Sequence, residues 1–252
     1  MSSRIAALSL TAIRMAATGP CEETAVIARW LYRFGIAPCG PAIERDFGPD
    51  DDPMAILGLT KGAHVRRQLE TAYDAHALAG WYSFARTALP EQISTACKLY
   101  VSPKPEALSD AFPVIAEQFT RNEVRSFKVG RGIEGLLRPD KIVAYFDSES
   151  HMMRVATALD KSLQGCPAQG VPFTAEIAGN GLVSSGIDPP VNASAISWRS
   201  WITKRLAASL AASFPGESAH RTAIALTDLR NSGIDPDRWA PIVEHFWTLS
   251  PS

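Results

Sequence analysis

Residues 124–146 read VRSFKVGRGIEGLLRPDKIVAYF, and their pattern fixes the class of fold. From Val124 to Val129 the chain alternates, with Arg125, Phe127 and Val129 on one side and Ser126 and Lys128 on the other, the period of a half-buried strand. Lys141 to Phe146 is rich in β-branched and aromatic residues and reads as another strand. Between them, Gly130, Gly132 and Gly135 match G-x-G-x-x-G, the fingerprint of a dinucleotide-binding loop. Pro139 follows closely, however, and a strand rather than a full crossover helix begins at Lys141. A pyrophosphate would then lack the helix N-terminus it needs. The glycines are expected to form a tight turn between two strands, and a nucleotide or small-phosphate binder is one of three functional readings.

Working outward, Ser148 to Leu163 reads as a serine-capped helix and Val171 to Ile177 as a strand. Upstream, Pro105 to Phe119 reads as a helix and Ile93 to Val101 as a strand, with Leu99 and Val101 on one face and Lys98 and Tyr100 on the other. The order strand, helix, strand, strand, helix, strand implies an α+β fold: a mixed small sheet of about four strands with flanking helices. Residues 1–90 are expected to form a helical N-terminal portion, with helices at Ile5–Ile13, Cys21–Gly35 and Met54–Leu89, the last interrupted near Gly80. Pro38 to Pro53, with Asp50, Asp51 and Asp52, reads as a solvated loop. After the α+β core at 91–180, Gly181 to Pro190 is loop-like and residues 181–252 return to helices. One helix opens at Ser197-Trp198-Arg199 with Trp198, Trp201, Leu206 and Leu210 on its apolar face, and others span Ser218–Asn231 and Asp235–Thr248. Residues 1–252 are read as a single domain in these three parts.

Composition narrows the function. Lys plus Arg is 25 against 26 for Asp plus Glu, which argues against a polyanion binder working by bulk charge, so no nucleic-acid partner is expected. The apolar run Ile5–Ile13 is too short to cross a bilayer and makes a poor secretion signal, so a cytoplasmic protein without a membrane partner is expected. Cys21, Cys39, Cys97 and Cys166 are spaced too widely for paired metal ligands and read as reduced structural thiols. His64, His76, His151, His220 and His245 are scattered singly. Signatures of P-loop NTPases, zinc hydrolases and α/β-hydrolases are missing, and neither metal nor cofactor is expected. The sequon Asn192-Ala193-Ser194 has no meaning in a cytoplasmic chain.

Positive charge is concentrated where the glycines lie. Arg121, Arg125, Lys128, Arg131, Arg138 and Lys141 face only Glu123, Glu134 and Asp140 in the same segment, making a candidate phosphate or carboxylate site. A lysine in the middle of a strand, as Lys128 is, must be exposed, paired or functional. Arg199 in the first turn of a helix is opposed by the helix dipole, so it meets either an anion or Asp188.

Six strings, taken in order, carry a family resemblance: Lys98-Leu99-Tyr100-Val101, Phe127-Lys128-Val129, Arg138 through Phe146, Gly170-Val171-Pro172-Phe173-Thr174, Gly186-Ile187-Asp188-Pro189-Pro190 and Ser197-Trp198-Arg199. Over residues 95 to 205 the chain resembles the HopA-type effector family of plant-pathogenic bacteria and its relatives in actinobacterial peptide biosynthesis. In the biosynthetic branch the resemblance implies a lyase of class V lanthipeptide or thioamitide-type pathways. Such a lyase takes a precursor peptide phosphorylated by a separate kinase-like protein and expels the phosphate, giving dehydroalanine or dehydrobutyrine.

The chemistry needs a base, cations for the leaving phosphate and no redox cofactor. In that reading Lys128 is the base, Lys98 the competing base or the donor to the departing phosphate, and Arg125, Arg138 and Arg199 grip the phosphate. Asp140 and Asp188 orient those arginines, while Thr174 and Gln169 contact the peptide. Effector phosphothreonine lyases carry a Lys-x-His pair that this chain lacks, leaving a lysine or a tyrosine such as Tyr100 or Tyr145 to serve if an acid is needed. The partners implied are the phosphorylated precursor peptide and a kinase-like subunit, with Trp239, Phe246 and Trp247 either core residues or contacts for that subunit. The alternative is a non-catalytic effector or scaffold that binds a kinase-like partner.

Overall fold

The computed structural model describes residues 3–20, 23–47, 54–86, 97–189 and 197–242. Cys21, the Asp50–Asp52 run, residues 93–96 of the first expected strand, Pro190, the sequon at 192–194, His245, Phe246 and Trp247 lie outside them. The described elements are α1 (Arg4–Thr18), α2 (Thr24–Arg33), α3 (Pro41–Phe47), α4 (His64–Glu70), β1 (Asp74–Leu78), β2 (Trp81–Ala85), β3 (Cys97–Val101), α5 (Leu108–Arg121), β4 (Ser126–Gly130), α6 (Gly132–Leu137), β5 (Ile142–Phe146), α7 (Glu149–Ser162), β6 (Ala175–Ile177), β7 (Val183–Ile187), α8 (Trp198–Ala212), α9 (Ser218–Asn231), β8 (Ile234–Asp235) and β9 (Ala240–Pro241). Among the described residues, no helix is long and apolar enough to cross a membrane.

The α+β class holds, with a larger sheet than the expected four strands. Seven strands run in the order β1-β2-β4-β5-β3-β7-β6. The pairs β1–β2, β2–β4, β4–β5 and β5–β3 are antiparallel. Two departures account for the added strands. The stretch expected to be helical on either side of a break near Gly80 is instead a hairpin of β1 and β2, joined at Ala79-Gly80 with Gly80 at φ 73°; that left-handed turn is open to glycine at no steric cost. The loop expected at 181–190 contains β7, while the strand expected from Val171 begins only at Ala175, after Phe173 has turned the chain at φ 65°. Instead of the helix expected from Asp235, residues 234–241 form the small β8–β9 pair.

The chain divides into two compact units that interleave along the sequence. One comprises the residues up to Phe34, Pro172–Gly179 and Gly186 onward. In it α1, α2, α8 and α9 surround Ile13, Leu31, Trp198, Ile202, Leu206 and Trp239, all buried. Ser197 caps α8 by accepting from the Ser200 amide at 3.2 Å, and the apolar face expected for this helix is indeed buried. Trp239 lies against Phe173 with ring centres 5.2 Å apart, so of its two readings the core one holds.

The other unit, Gly35–Val171 with Asn180–Ser185, carries β1 to β5. One face of these strands is apolar: Leu99, Val101, Phe127, Val129, Ile142, Ala144 and Phe146 are buried together with Phe112 and Phe119 of α5 and Val155 and Leu159 of α7. Phe127 is the hub, 4.6 Å from the Phe84 ring and 5.0 Å from that of Phe119. Burying a phenylalanine side chain contributes about 1.5–3 kcal/mol, so the register around Phe127 is held firmly. That register determines what the opposite face presents.

The glycine motif also departs from expectation, because its second and third glycines lie within a short helix, α6, that begins at Gly132. The strands on either side are antiparallel neighbours, as in neither half of a dinucleotide fold. Gly130 and Gly135 are in backbone contact: a Cβ on Gly130 would stand 2.2 Å from the Gly135 carbonyl oxygen. The glycines serve packing between β4 and α6.

Candidate functional site

The pleat turns Ser126 and Lys128 of β4 away from the Phe127 face, and the register extends that choice across the sheet. Lys128 is opposite Ser83 on β2 and Val143 on β5, while Lys98 on β3 is opposite Tyr145. Two lysines, two tyrosines and Trp81 thereby share one side of the sheet. The Lys128 ammonium stands 4.2 Å from the centre of the Trp81 ring and 5.8 Å from that of Tyr145. The Lys98 ammonium is also 5.8 Å from Tyr145, on which the two lysines converge. Arg138, arriving from the turn before β5, lays its guanidinium 4.8 Å from the Trp81 ring centre. It is held by a two-pronged pair with the buried Asp140 at 2.9 and 3.0 Å, the fixed fork geometry that a lysine cannot reproduce. Tyr100 packs with Val143 and Val171 beneath, and Trp81 and Tyr145 cover that cluster.

The electrostatics follow from this geometry. Burial pushes the Lys128 pKa below the ordinary lysine value; Asp140 opposes the shift, and the positive charges of Lys98 and Arg138 add to it. A lysine so placed holds a larger neutral fraction near physiological pH than a solvated one.

Of the residues singled out by sequence, the structure brings together Lys98, Tyr100, Lys128, Arg138 and Asp140. The others stand elsewhere. Arg125 sits on the opposite pleat from Lys128 and pairs with Asp147 at 3.4 Å. Gln169 does not offer its amide to a peptide: Nε2 donates to the carbonyls of Gly35 and Leu137 at 2.6 and 2.9 Å, and Oε1 accepts from Lys141. Thr174 is fully buried in the first unit and has no surface for a peptide to touch. Arg199, 1% exposed in the same unit, donates to the carbonyls of Pro172 and Tyr32 at 3.1 and 2.9 Å. These bonds give its charge a structural use that the helix dipole had made puzzling. Asp188 is half-buried in that unit, just beyond β7.

Sequence reasoning missed Trp81, the ring shared by Lys128 and Arg138, because its strand was read as helix. It also counted Lys141 among the cations of a candidate phosphate or carboxylate site, whereas the side chain is wholly buried.

No known family model matches the chain, and no curated protein matches it. Solved structures do. The effector protein from Pseudomonas syringae pv. tomato strain DC3000 aligns with a TM-score of 0.53 at 12% identity, over 94% of this chain and 98% of that one. The effector protein from Pseudomonas syringae pv. syringae strain 61 aligns with a TM-score of 0.50 at 11% identity, over 94% and 99%. The type III effector/phosphothreonine lyase OspF from Shigella flexneri aligns with a TM-score of 0.42 at 11% identity, over 51% of this chain and 80% of that one. The chain has the fold of the two Pseudomonas effectors.

Proposed function

We propose that the protein is a phosphoserine/phosphothreonine lyase that removes phosphate from a phosphorylated peptide by β-elimination. The observation that carries the reading is Lys128: half-buried, against Trp81 and Tyr145, with its pKa lowered and with Lys98 and Arg138 as its cationic neighbours. A neutral amine beside two cations is what the reaction asks of a protein. The neutral Nζ takes the α-proton, the Cα=Cβ bond forms, and the Cβ–O bond breaks with its electron pair leaving on phosphate. Arg138 binds the phosphate oxygens through paired hydrogen bonds. Lys98 neutralises the departing charge and supplies a proton to it, with Tyr145 or the more buried Tyr100 as alternative donors. Water is not consumed, which separates this chemistry from phosphatase hydrolysis.

The sequence resemblance supports setting such a reaction after a kinase-like protein that phosphorylates a precursor peptide in lanthipeptide-type biosynthesis, and we adopt that setting. The test is the intact mass of a phosphothreonine peptide after incubation with the protein and no added metal. Loss of phosphoric acid to give a dehydro residue is expected. A free threonine would indicate a phosphatase, and an unchanged peptide, with and without the kinase-like partner and ATP, would indicate the scaffold role.

Two further outcomes are expected. Arg138→Lys keeps the charge but loses the fork, so kcat/KM falls about 10- to 100-fold, chiefly through KM, as loss of charged hydrogen bonds of about 1.5–3 kcal/mol requires. The pH profile supplies the second. Because Lys128 acts deprotonated, kcat/KM rises with pH through its pKa. Lys98→Met removes a charge that lowers that pKa and moves the rising limb to higher pH; Asp140→Asn removes the opposing charge and moves it lower. Shifts of equal sign in both variants would contradict the assignment of the limb to Lys128.

A further inference from the structure

Behind the site lies a lysine that no substrate can reach. Lys141 is 0% exposed, and its ammonium donates to the Pro103 carbonyl at 2.8 Å and to Oε1 of Gln169. Burying an ammonium costs far more than burying a methionine of similar length, so packing alone gives no reason for it. The reason is found in what else Gln169 holds. Its Nε2 donates to the Leu137 carbonyl at 2.9 Å, while its Oε1 accepts from Lys141. Leu137 and Lys141 are the two ends of the turn whose middle is Arg138-Pro139-Asp140. One glutamine side chain therefore ties together both ends of the turn that presents Arg138. The middle is tied too: Ser102 Oγ donates to the Pro139 carbonyl at 2.7 Å, and the Gln169 backbone N–H donates to the Ser102 carbonyl at 2.8 Å.

We propose that Lys141 is a positioning residue: with Gln169 it closes the base of the 137–141 turn and so sets the Arg138 guanidinium over Trp81, beside Lys128. The inference rests on the lyase reading of that site and adds to it a residue that never meets the substrate. The charged groups facing Lys141 are Asp140 and Glu106; burial nevertheless pulls its pKa down to about 7. A neutral amine retains hydrogens for both acceptors, so the tie survives above that pH.

The test compares Lys141→Met, Gln169→Leu and Lys141→Met in an Arg138→Ala background. Each is assayed for kcat and KM on the phosphothreonine peptide, for affinity toward a non-eliminable phosphonate peptide by calorimetry, and for thermal unfolding. Lys141→Met and Gln169→Leu are expected to lower phosphonate affinity and raise KM about tenfold while the protein still unfolds in one cooperative transition. In the Arg138→Ala background Lys141→Met is expected to change neither quantity further, which a merely structural role would not produce. If Lys141→Met does not fold, Gln169→Leu carries the comparison, since it leaves the Lys141 bond to Pro103 in place. Folded variants with wild-type affinity and KM would overturn the proposal, as would an undiminished Lys141→Met effect without Arg138. If the wild type binds the phosphonate peptide but eliminates nothing, the lyase reading fails and the affinities still decide the positioning role. If it neither binds nor converts, both fall.

Discussion

Lys128→Ala is expected to slow phosphate elimination by about 10²- to 10⁴-fold, the range associated with a positioned general base, while the protein stays folded. The expectation follows from where the side chain lies. It projects from the centre of β4 to the side of the sheet opposite Phe127, so its removal leaves the packed face of α5 and α7 untouched. It also relieves crowding with Lys98 and Arg138, both of which disfavour its charged form. A melting temperature within a few degrees of wild type is therefore anticipated. Lys128→Arg sharpens the point: the guanidinium keeps the positive charge but stays protonated throughout the accessible range, so it can bind phosphate and cannot take the α-proton. Loss of elimination with phosphonate-peptide affinity retained in Lys128→Arg separates the base from the phosphate-binding cations. A rate above one tenth of wild type in both variants would move the base to Lys98. Partner binding that persists unchanged in a chain incapable of elimination would instead favour the scaffold role.

How this site could be read from sequence depended on register. The alternation of Val124–Val129 and of Lys98 to Val101 correctly separated apolar from polar faces, and the serine-capped helices at 148–163 and 197–212 and the periodic helix at 218–231 were legible for the same local reasons. Alternation alone, however, does not say which strands are neighbours. Lys98 and Lys128 come together only because β5 lies between β3 and β4 and offers Tyr145 to both. The hairpin was hidden by composition: β1 reads Asp-Ala-His-Ala-Leu, two of its residues being the strongest helix former, and its turn uses Ala-Gly rather than the Asn-Gly or Asp-Gly that marks a two-residue hairpin. With β2 went Trp81. β7, Val-Ser-Ser-Gly-Ile, likewise lacks the density of β-formers that would distinguish it from a loop. The burial of Lys141 had no local signature, since its partners Pro103 and Gln169 lie 38 and 28 residues away in sequence. The same side chain was counted toward the cationic site because lysine is so rarely buried.

The glycine motif supports the second large expectation, that Gly130→Val unfolds or severely destabilises the protein. A Cβ on Gly130 would lie 2.2 Å from the oxygen and 2.4 Å from the carbon of the Gly135 carbonyl; one on Gly135 would lie 2.8 Å from the Gly130 carbonyl carbon. These are backbone atoms, so no rotamer change relieves the clash, and the end of β4 must part from α6. Overpacking of ordinary cores costs about 1–3 kcal/mol; a clash with backbone on one side and the Lys128 strand on the other is placed above that range. For a chain of this length each kcal/mol lowers the melting temperature by about 2–4 °C, so a fall of roughly 10 °C or more is expected, with elimination lost as the fold is lost. Arg131→Ala, at an exposed position within the same motif, is expected to change stability by no more than about 0.5 kcal/mol. That pairing decides between two explanations of one string of residues. If the glycines cradled a nucleotide, Gly130→Ala would abolish nucleotide-dependent thermal stabilisation and leave the unliganded melting temperature in place. If they let two backbones touch, the unliganded protein itself is destabilised, and the Lys128 strand loses its footing before any ligand is added.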